Sequence, residues 1–350
     1  MSIEPNLKNR LKAARLAQGW SQEELARASG LSRSGVSAIE TERLVPSAAA
    51  ALALAKAMAC RVEDLFQLDD AEVTTTWAWQ PADAPCRHWE AEIAGRRLLY
   101  PGDAVGEALL AHDGFFEGAI PSPVPREIAE RTLVLACCDP AVGLLAAELA
   151  QRQVRLLVLS RSSRLALQLL QQGLVHVAGV HLSRSGEEGN SVAVKETLGS
   201  GFRLLRVARW QEGLAVAPGQ RVTSIRSAVD SRLRWVGRET GSGARQCLDE
   251  ILGDRKAPRH EARSHRGVAE VIRSGLADAG VCLRLVSQQA GLDFISIREE
   301  AYDLCFASGA EQDPRIRALI EVVESARFRK LLGELPGYST PDTGTLRSVK

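Results

Sequence analysis

Apolar residues recur at helical spacing through the first part of the chain. Leu7, Leu11 and Ala14 make one face of an opening helix, and Leu25 and Ala26 lie on the next. Ser21, followed three residues later by Glu24, forms a capping box. Gly30 ends that helix after two to three turns, and Ser32 is placed to cap another that carries Val36 and Ile39, with Leu31 just before it. Leu52, Ala55, Met58, Val62 and Leu65 continue the spacing. The pattern predicts a helical head over residues 1–70. Its central pair of short helices meets at a tight glycine turn, an arrangement whose second helix can enter a DNA major groove.

The period then changes. Residues 71–85 mix β-formers with prolines and read as a linker with a short strand, and the run from Arg87 to Asp103 predicts a hairpin turning at Ala94-Gly95. A proline run at Pro121–Pro125 is a further break, so residues 71–130 read as a linker and small β hairpin region. From Arg131 short apolar strands (TLVLAC, VRLLVLS, VHVAGVHL) alternate with amphipathic helices, which predicts an α/β domain over residues 131–344 with a largely parallel sheet. A weak internal echo, ALQLLQQGLVHVAGVHL from Ala166 against VAEVIRSGLADAGVCL from Val268, suggests two similar lobes with a cleft between them.

Composition narrows the class. Forty-four basic residues balance 43 acidic ones, so there is no global positive field. Lys8, Arg10, Lys12, Arg15, Arg27, Arg33 and Arg43 nevertheless cluster in the head, with Glu63, Asp64, Asp69 and Asp70 following. The 7 cysteines are odd in number and show no C-x-x-C, which favours reduced thiols over a disulfide framework or a zinc site. No leader or membrane-length apolar run is evident, so a cytoplasmic protein without membrane contact is expected.

The head resembles the lambda-repressor/Cro-type (XRE) helix-turn-helix family. S-Q-E-E-L-A at Ser21–Ala26, G-L-S at Gly30–Ser32, S-x-I-E at Ser37–Glu40 and the helix start at Pro46-Ser47 carry the likeness. That resemblance implies double-stranded DNA as partner. Arg33, Ser34 and Ser37 would face base edges, while Gln22, Arg10 and Arg43 would contact phosphates. Gly35 inside the recognition helix and Thr41-Glu42 after it depart from the family pattern.

The remainder resembles the periplasmic-binding-protein-like ligand domains fused to helix-turn-helix regulators. ACCDPAVGLLA from Ala136, AGVHL from Ala178, RWQEGLAVAPG from Arg209, GRETGSGARQCLDEIL from Gly237, GLADAG from Gly275, GLDFISIREEAYDL from Gly291 and the late LPGYSTPDTG carry it. Some relatives bind molybdate or tungstate. The resemblance therefore implies an oxyanion or molybdenum-cofactor-related effector, with no cofactor or metal of the protein's own. Thr240, Gly241, Ser242 and Gly243 form a turn opening a helix, a place where backbone N–H groups accept an anion. Arg245 either faces that anion or pairs with Glu239 or Asp249. Ser160, Ser162 and Ser163 form a second hydroxyl-rich turn, of which one member should cap the helix from Arg164. Asp139 should cap a helix starting at Pro140, whereas Arg209, Gln211 and His265 are weaker ligand candidates. Ala244 stands where relatives often carry threonine.

No catalytic set assembles. His260-Glu261 with His265 is one residue too long for H-E-x-x-H, the glycine turn lacks the P-loop Lys-Ser/Thr, and no G-x-S-x-G occurs. Glu187-Glu188 and Glu299-Glu300 read as solvated charges. The fold expected is an all-α helix-turn-helix head plus an α/β two-lobed periplasmic-binding-protein-like domain. The function expected is that of a non-enzymatic, ligand-responsive transcriptional regulator binding DNA as a homodimer. The alternatives are a carrier or scaffold protein of molybdenum metabolism, whose head mediates assembly, and an enzyme acting on a molybdenum-cofactor intermediate.

Overall fold

The computed structural model describes residues 7–68, 75–102, 110–118, 125–182, 189–253 and 257–349. Asp69, Asp70, residues 71–74 of the linker, most of the proline run and Glu187-Glu188 lie outside them. Contacts divide the chain into two units, Met1–Thr74 and Thr75–Lys350.

In the first unit Leu7–Asn9 is a short strand, β1, rather than part of a helix, and it pairs antiparallel with Phe66–Leu68 (β2). Helix α1 (Leu11–Ala17) starts only after the Asn9 side chain accepts from the Leu11 N–H at 2.9 Å. Helix α2 (Gln22–Ser29) opens on the predicted capping box. Ser21 Oγ accepts from Glu24 N–H at 3.2 Å, and the Glu24 carboxylate accepts from Ser21 N–H at 2.7 Å. Gly30 closes the helix in the left-handed region at φ +72°, where a side chain would be strained. Helices α3 (Arg33–Glu40), α4 (Ala48–Ala57) and α5 (Val62–Leu65) follow, the first two capped by Ser32 and Ser47. Leu11, Leu25, Val36, Ile39, Leu54, Met58 and Leu65 form the core. Leu52, expected inside, is 62% exposed. Lys56, one turn on from Leu52 and exposed, marks the outer face of this AAAALALAKA helix, and Ala51, Leu54 and Ala55 take the inner one.

The second unit begins with a four-stranded sheet: β3 (Thr76–Trp77), β4 (Cys86–Ile93), β5 (Arg96–Pro101) and β6 (Gly114–Phe116). β4 and β5 are the predicted hairpin, turning at Ala94-Gly95. After α6 (Arg126–Glu130) the first lobe consists of β7 (Thr132–Cys137), α7 (Val142–Ala150), β8 (Arg155–Ser160), α8 (Ser163–Gln171), β9 (Val177–Val180) and α9 (Gly189–Leu198). Every residue of β7 is buried, as befits a strand covered on both faces. The long β10 (Phe202–Val216) leads to the second lobe: α10 (Ile225–Asp230), β11 (Trp235–Arg238), α11 (Gly243–Leu252), β12 (His260–Ala262), α12 (His265–Arg273), β13 (Ala279–Leu283) and α13 (Arg284–Gln289). β14 (Asp293–Ala307) returns, and α14 (Pro314–Glu324), α15 (Ala326–Gly333), β15 (Tyr338–Ser339) and β16 (Leu346–Ser348) finish on β10 and the first lobe.

The large sheet runs β12-β11-β13-β10-β14-β9-β7-β8. Its two ends are parallel triples, as the alternation predicts. Between them the 15-residue strands β10 and β14 run antiparallel to each other and to the neighbouring triples. They serve both lobes at once. The echoed segments are α8–β9 and α12–β13, one in each lobe. No helix among the described residues is long and apolar enough to cross a membrane.

Candidate functional site

In the head, Arg33 and Ser34 on the first turn of α3 are exposed, Ser37 one turn on is half-buried, and Arg10 and Arg43 are exposed. Ser34 Oγ lies 3.1 Å from Ser32 Oγ, and Arg43 Nε donates to Thr41 Oγ1 at 3.0 Å. Gln22 is held inward instead, its Nε2 donating to Glu40 Oε2 at 2.8 Å. Arg15 leaves the basic face altogether. It is buried and pairs with Glu40 at 2.6 Å.

In the second unit the strand ends of the two lobes converge. The Thr240–Gly243 turn of the second lobe meets the first lobe at Arg164 and His181. Gly241 lies against Arg164, and Gly243 sits so close to His181 that a Cβ would come within 2.5 Å of its carbonyl oxygen. Ser242 caps α11, accepting from Arg245 N–H at 3.2 Å and donating to Glu239 O at 3.0 Å, while Thr240 is exposed. Arg245 takes the ion-pairing alternative, bonding Asp249 at 2.9 Å and lying 3.6 Å from Glu261. Ala244 is buried with Cys247, Leu248, Leu252 and Val281, so a threonine hydroxyl there would face the core.

The Ser163 hydroxyl accepts from His181 N–H at 3.1 Å, and Ser162, at the N-cap of α8, makes no side-chain cap bond, contrary to expectation. Asp139 accepts from Ala141 N–H at 2.9 Å but caps only a turn, since α7 starts at Val142; Tyr338 Oη donates to it at 2.7 Å. Burial pushes the Asp139 carboxyl up from its ordinary range, against the pull of that hydroxyl. Arg209 is paired with Asp342 at 2.6 Å, and Gln211 accepts from Arg284 at 2.8 Å.

Behind these turns lies a buried polar cluster that sequence reasoning did not assemble. Cys138 Sγ is 3.0 Å from His181 Nε2, and His181 Nδ1 is 3.1 Å from Glu300 Oε2. Arg298 pairs with Glu300 at 2.7 Å and with Glu212 at 3.0 Å, and Arg238 with Glu239 at 2.7 Å. Trp210 stacks on Tyr302 at 4.4 Å and meets the edges of His181 and His265. Burial opposes charge on His181, but Cys138 and Glu300 together raise its pKa well above the ordinary histidine value. Burial, with Arg238 and His181 nearby, depresses His265 well below it. Burial and the neighbouring Glu300 lift Glu212 to about 8.

Arg238 Nη1, Trp210 Nε1 and both ring nitrogens of His265 are buried with no hydrogen-bond partner. A cavity of about 440 Å³ adjoins the cluster, lined by Cys137, Cys138, Asp139 and Ser160 from the first lobe and by Ser264, His265 and Arg266 from the second.

Glu300 corrects one expectation. It is buried, while Glu299 beside it is exposed, because neighbouring strand residues point to opposite faces. His260 lies on β12 and His265 on α12, so they share no helix face, as the spacing foretold. The signal for the cluster lay in the strand-end stretches ACCDP, AGVHL, RWQEG and REEAY, whose polar members could not be paired without the fold.

Two known families match parts of the chain. Residues 11–65 match the helix-turn-helix family, and residues 146–324 match the PBP superfamily domain. The chain is 31% identical over 185 residues to YvgK of Bacillus subtilis (strain 168), covering 49% of this chain and 59% of YvgK, so it spans less than two thirds of that relative. It is 41% identical over 64 residues to the HTH-type transcriptional regulator YgzD of the same organism, covering 18% of this chain and 97% of YgzD. Among solved structures, the tungstate ABC transporter from Geobacter sulfurreducens superposes with a TM-score of 0.44 at 15% identity, over 59% of this chain and 99% of that one. The domain match covers just over half of the 350 residues, and the chain belongs to the PBP superfamily, with a helix-turn-helix domain at its amino-terminal end.

Proposed function

We propose that the protein is a one-component, ligand-responsive transcriptional regulator. The head reads double-stranded DNA as a homodimer, and a small anionic molecule bound between the two lobes alters that reading. The relative YgzD is named as an HTH-type regulator, and Arg33 and Ser34 stand exposed at the start of α3, where a recognition helix meets base edges.

The observation that carries the effector reading is the pair of buried, partnerless donors Arg238 Nη1 and Trp210 Nε1. An unmatched buried donor costs about 1–3 kcal/mol, and a charged one more. An oxyanion taken up between the lobes would supply the missing acceptors. The cavity of about 440 Å³ is in the range of small-molecule sites. Its wall is largely apolar and does not include Arg238 or Trp210. An effector that fills it and reaches those donors therefore has an anionic end and a larger body, so molybdenum-cofactor precursors join molybdate and tungstate as effectors to test. The Thr240–Gly243 and Ser160–Ser163 turns are the contacts through which the lobes close over it. Ligand shifts the DNA-binding state only by its difference in affinity for the two arrangements.

The test is a thermal-shift series on the full chain with molybdate, tungstate, sulfate, phosphate and cofactor precursors. One of these should raise the melting temperature in a concentration-dependent way, and Arg238→Met should abolish the shift. Equal responses of wild type and variant to every compound would remove the basis for an anionic effector.

A further inference from the structure

One feature of the cleft is not explained by an anion. Cys138, His181 and His265 come from three different strand-to-helix junctions, and one donor atom of each lies within 4.8 Å of the other two. All three side chains are buried. Neither ring nitrogen of His265, which is 1% exposed, has a hydrogen-bond partner. A packed core rarely leaves an imidazole so unpaired.

The nitrogen of His181 facing Cys138 is Nε2, and its other nitrogen, Nδ1, is held by Glu300 at 3.1 Å. A carboxylate on the far nitrogen is the usual device that fixes the tautomer and orientation of a metal-bound histidine. Arg238 is paired with Glu239 and Arg298 with Glu300, each at 2.7 Å, so the Cys138 thiolate is the charge that balances a cation here. Trp210 and Tyr302, stacked at 4.4 Å, wall one side with apolar surface. Cys138 and His265 also line the cavity, which gives an ion a way in and leaves an open coordination position.

We propose that Cys138, His181 and His265 bind a borderline-to-soft transition-metal ion of the Zn²⁺ class, with Glu300 orienting His181 and the fourth position open to the cavity. One thiolate and two imidazoles suit Zn²⁺, Co²⁺ or Cu⁺ and disfavour Mg²⁺ and Ca²⁺. The Cys138–His181 contact of 3.0 Å is a hydrogen bond, and two ligands on one tetrahedral zinc stand slightly further apart. Binding therefore displaces the bridging proton to solvent and parts the pair by about 0.5 Å. The expectation of no zinc site rested on the lack of C-x-x-C spacing, and it does not bear on ligands brought together from distant junctions. The proposal goes beyond the effector reading and needs neither DNA nor an anion.

The reduced, metal-stripped full chain is dialysed against ZnCl₂ and its metal content measured by mass spectrometry. One zinc per chain is expected. Cys138→Ser and His265→Gln should each lose it, and Glu300→Gln should keep it with about 10–100-fold weaker affinity. Circular dichroism melts of the variants check folding. Should they not fold, alkylation decides on the wild type: Zn²⁺ must protect Cys138 from iodoacetamide. Co²⁺ must likewise produce a thiolate-to-cobalt absorption band. Absence of stoichiometric zinc, unchanged zinc in both ligand variants, or alkylation of Cys138 at the same rate with and without Zn²⁺ would overturn the proposal.

Discussion

Arg15 and Glu40 face each other as a two-pronged ion pair inside the head, with Nε to Oε1 at 2.6 Å and Nη2 to Oε2 at 3.0 Å. The arginine also donates to Trp20 O, and Gln22 shares the same carboxylate at 2.8 Å. One buried contact thus ties α1, the start of α2 and the end of the recognition helix. Breaking such a pair by removing one partner costs about 3–5 kcal/mol, because the other charge stays buried alone. Glu40→Ala should therefore strip hydrogen-exchange protection from the amides of α2 and α3, and replacing both partners with apolar residues should restore much of it. Unchanged protection in the single variant would refute this.

Gly243 leaves no room for a side chain. A Cβ would come within 2.5 Å of His181 O and 2.7 Å of His181 Nδ1, and the backbone carbonyl cannot swing aside. Gly243→Ala should destabilise the second unit by an overpacking cost of about 1–3 kcal/mol, read as a lower melting temperature. It should also weaken the response to any effector that closes the lobes. A variant that melts and responds as wild type does would show that Gly243 need not lie so close to His181.

Acid should destabilise the fold through His176. Its Nδ1 accepts from Val134 N–H at 2.9 Å, which leaves Nε2 to donate to Glu92 O at 3.0 Å. Burial first, then the nearby Arg315, pushes the imidazole down to about 3, with Asp313 opposing. The unfolded chain takes up the proton near the ordinary value of 6.5, whereas the folded chain does not. The stability is thus complete above that value and is lost as the pH falls towards about 3, at up to about 1.4 kcal/mol per pH unit from this group. Urea midpoints across this range should fall for the wild type and fall less steeply for His176→Gln. Parallel slopes would contradict the assignment.

Arg33 carries the prediction for specificity. Arg33→Ala should leave the circular dichroism melt unchanged, since the side chain is exposed, while erasing preference for the operator over random duplex. An unaltered footprint would move base reading elsewhere on α3.

Much of this was legible in the sequence. The Ser21–Glu24 box, the Gly30 stop and the Ser32 and Ser47 caps are local rules, so the head could be read residue by residue. The parallel triples were legible as alternating apolar runs. Long-range partners were not. Nothing local marks that Leu7 joins Phe66–Leu68 in a sheet, that Arg15 turns inward to Glu40, or that β10 and β14 cross the whole domain. The Thr240–Gly243 turn does open a helix, yet Arg245 proved to be held by Asp249, an i,i+4 pairing the sequence allowed but could not choose. Cys138, His181, Arg238, His265 and Glu300 form a cluster only once separate strand ends are brought together.

The account rests on a head that grips DNA in a way the second unit controls. Its most direct test is fluorescence anisotropy of the purified full chain with genomic duplex fragments at low salt, alone and with each candidate solute. The account predicts saturable binding that weakens steeply with added salt, is lost in a variant lacking the head, and shifts in affinity with one solute. Fragments left unbound under every condition would contradict it.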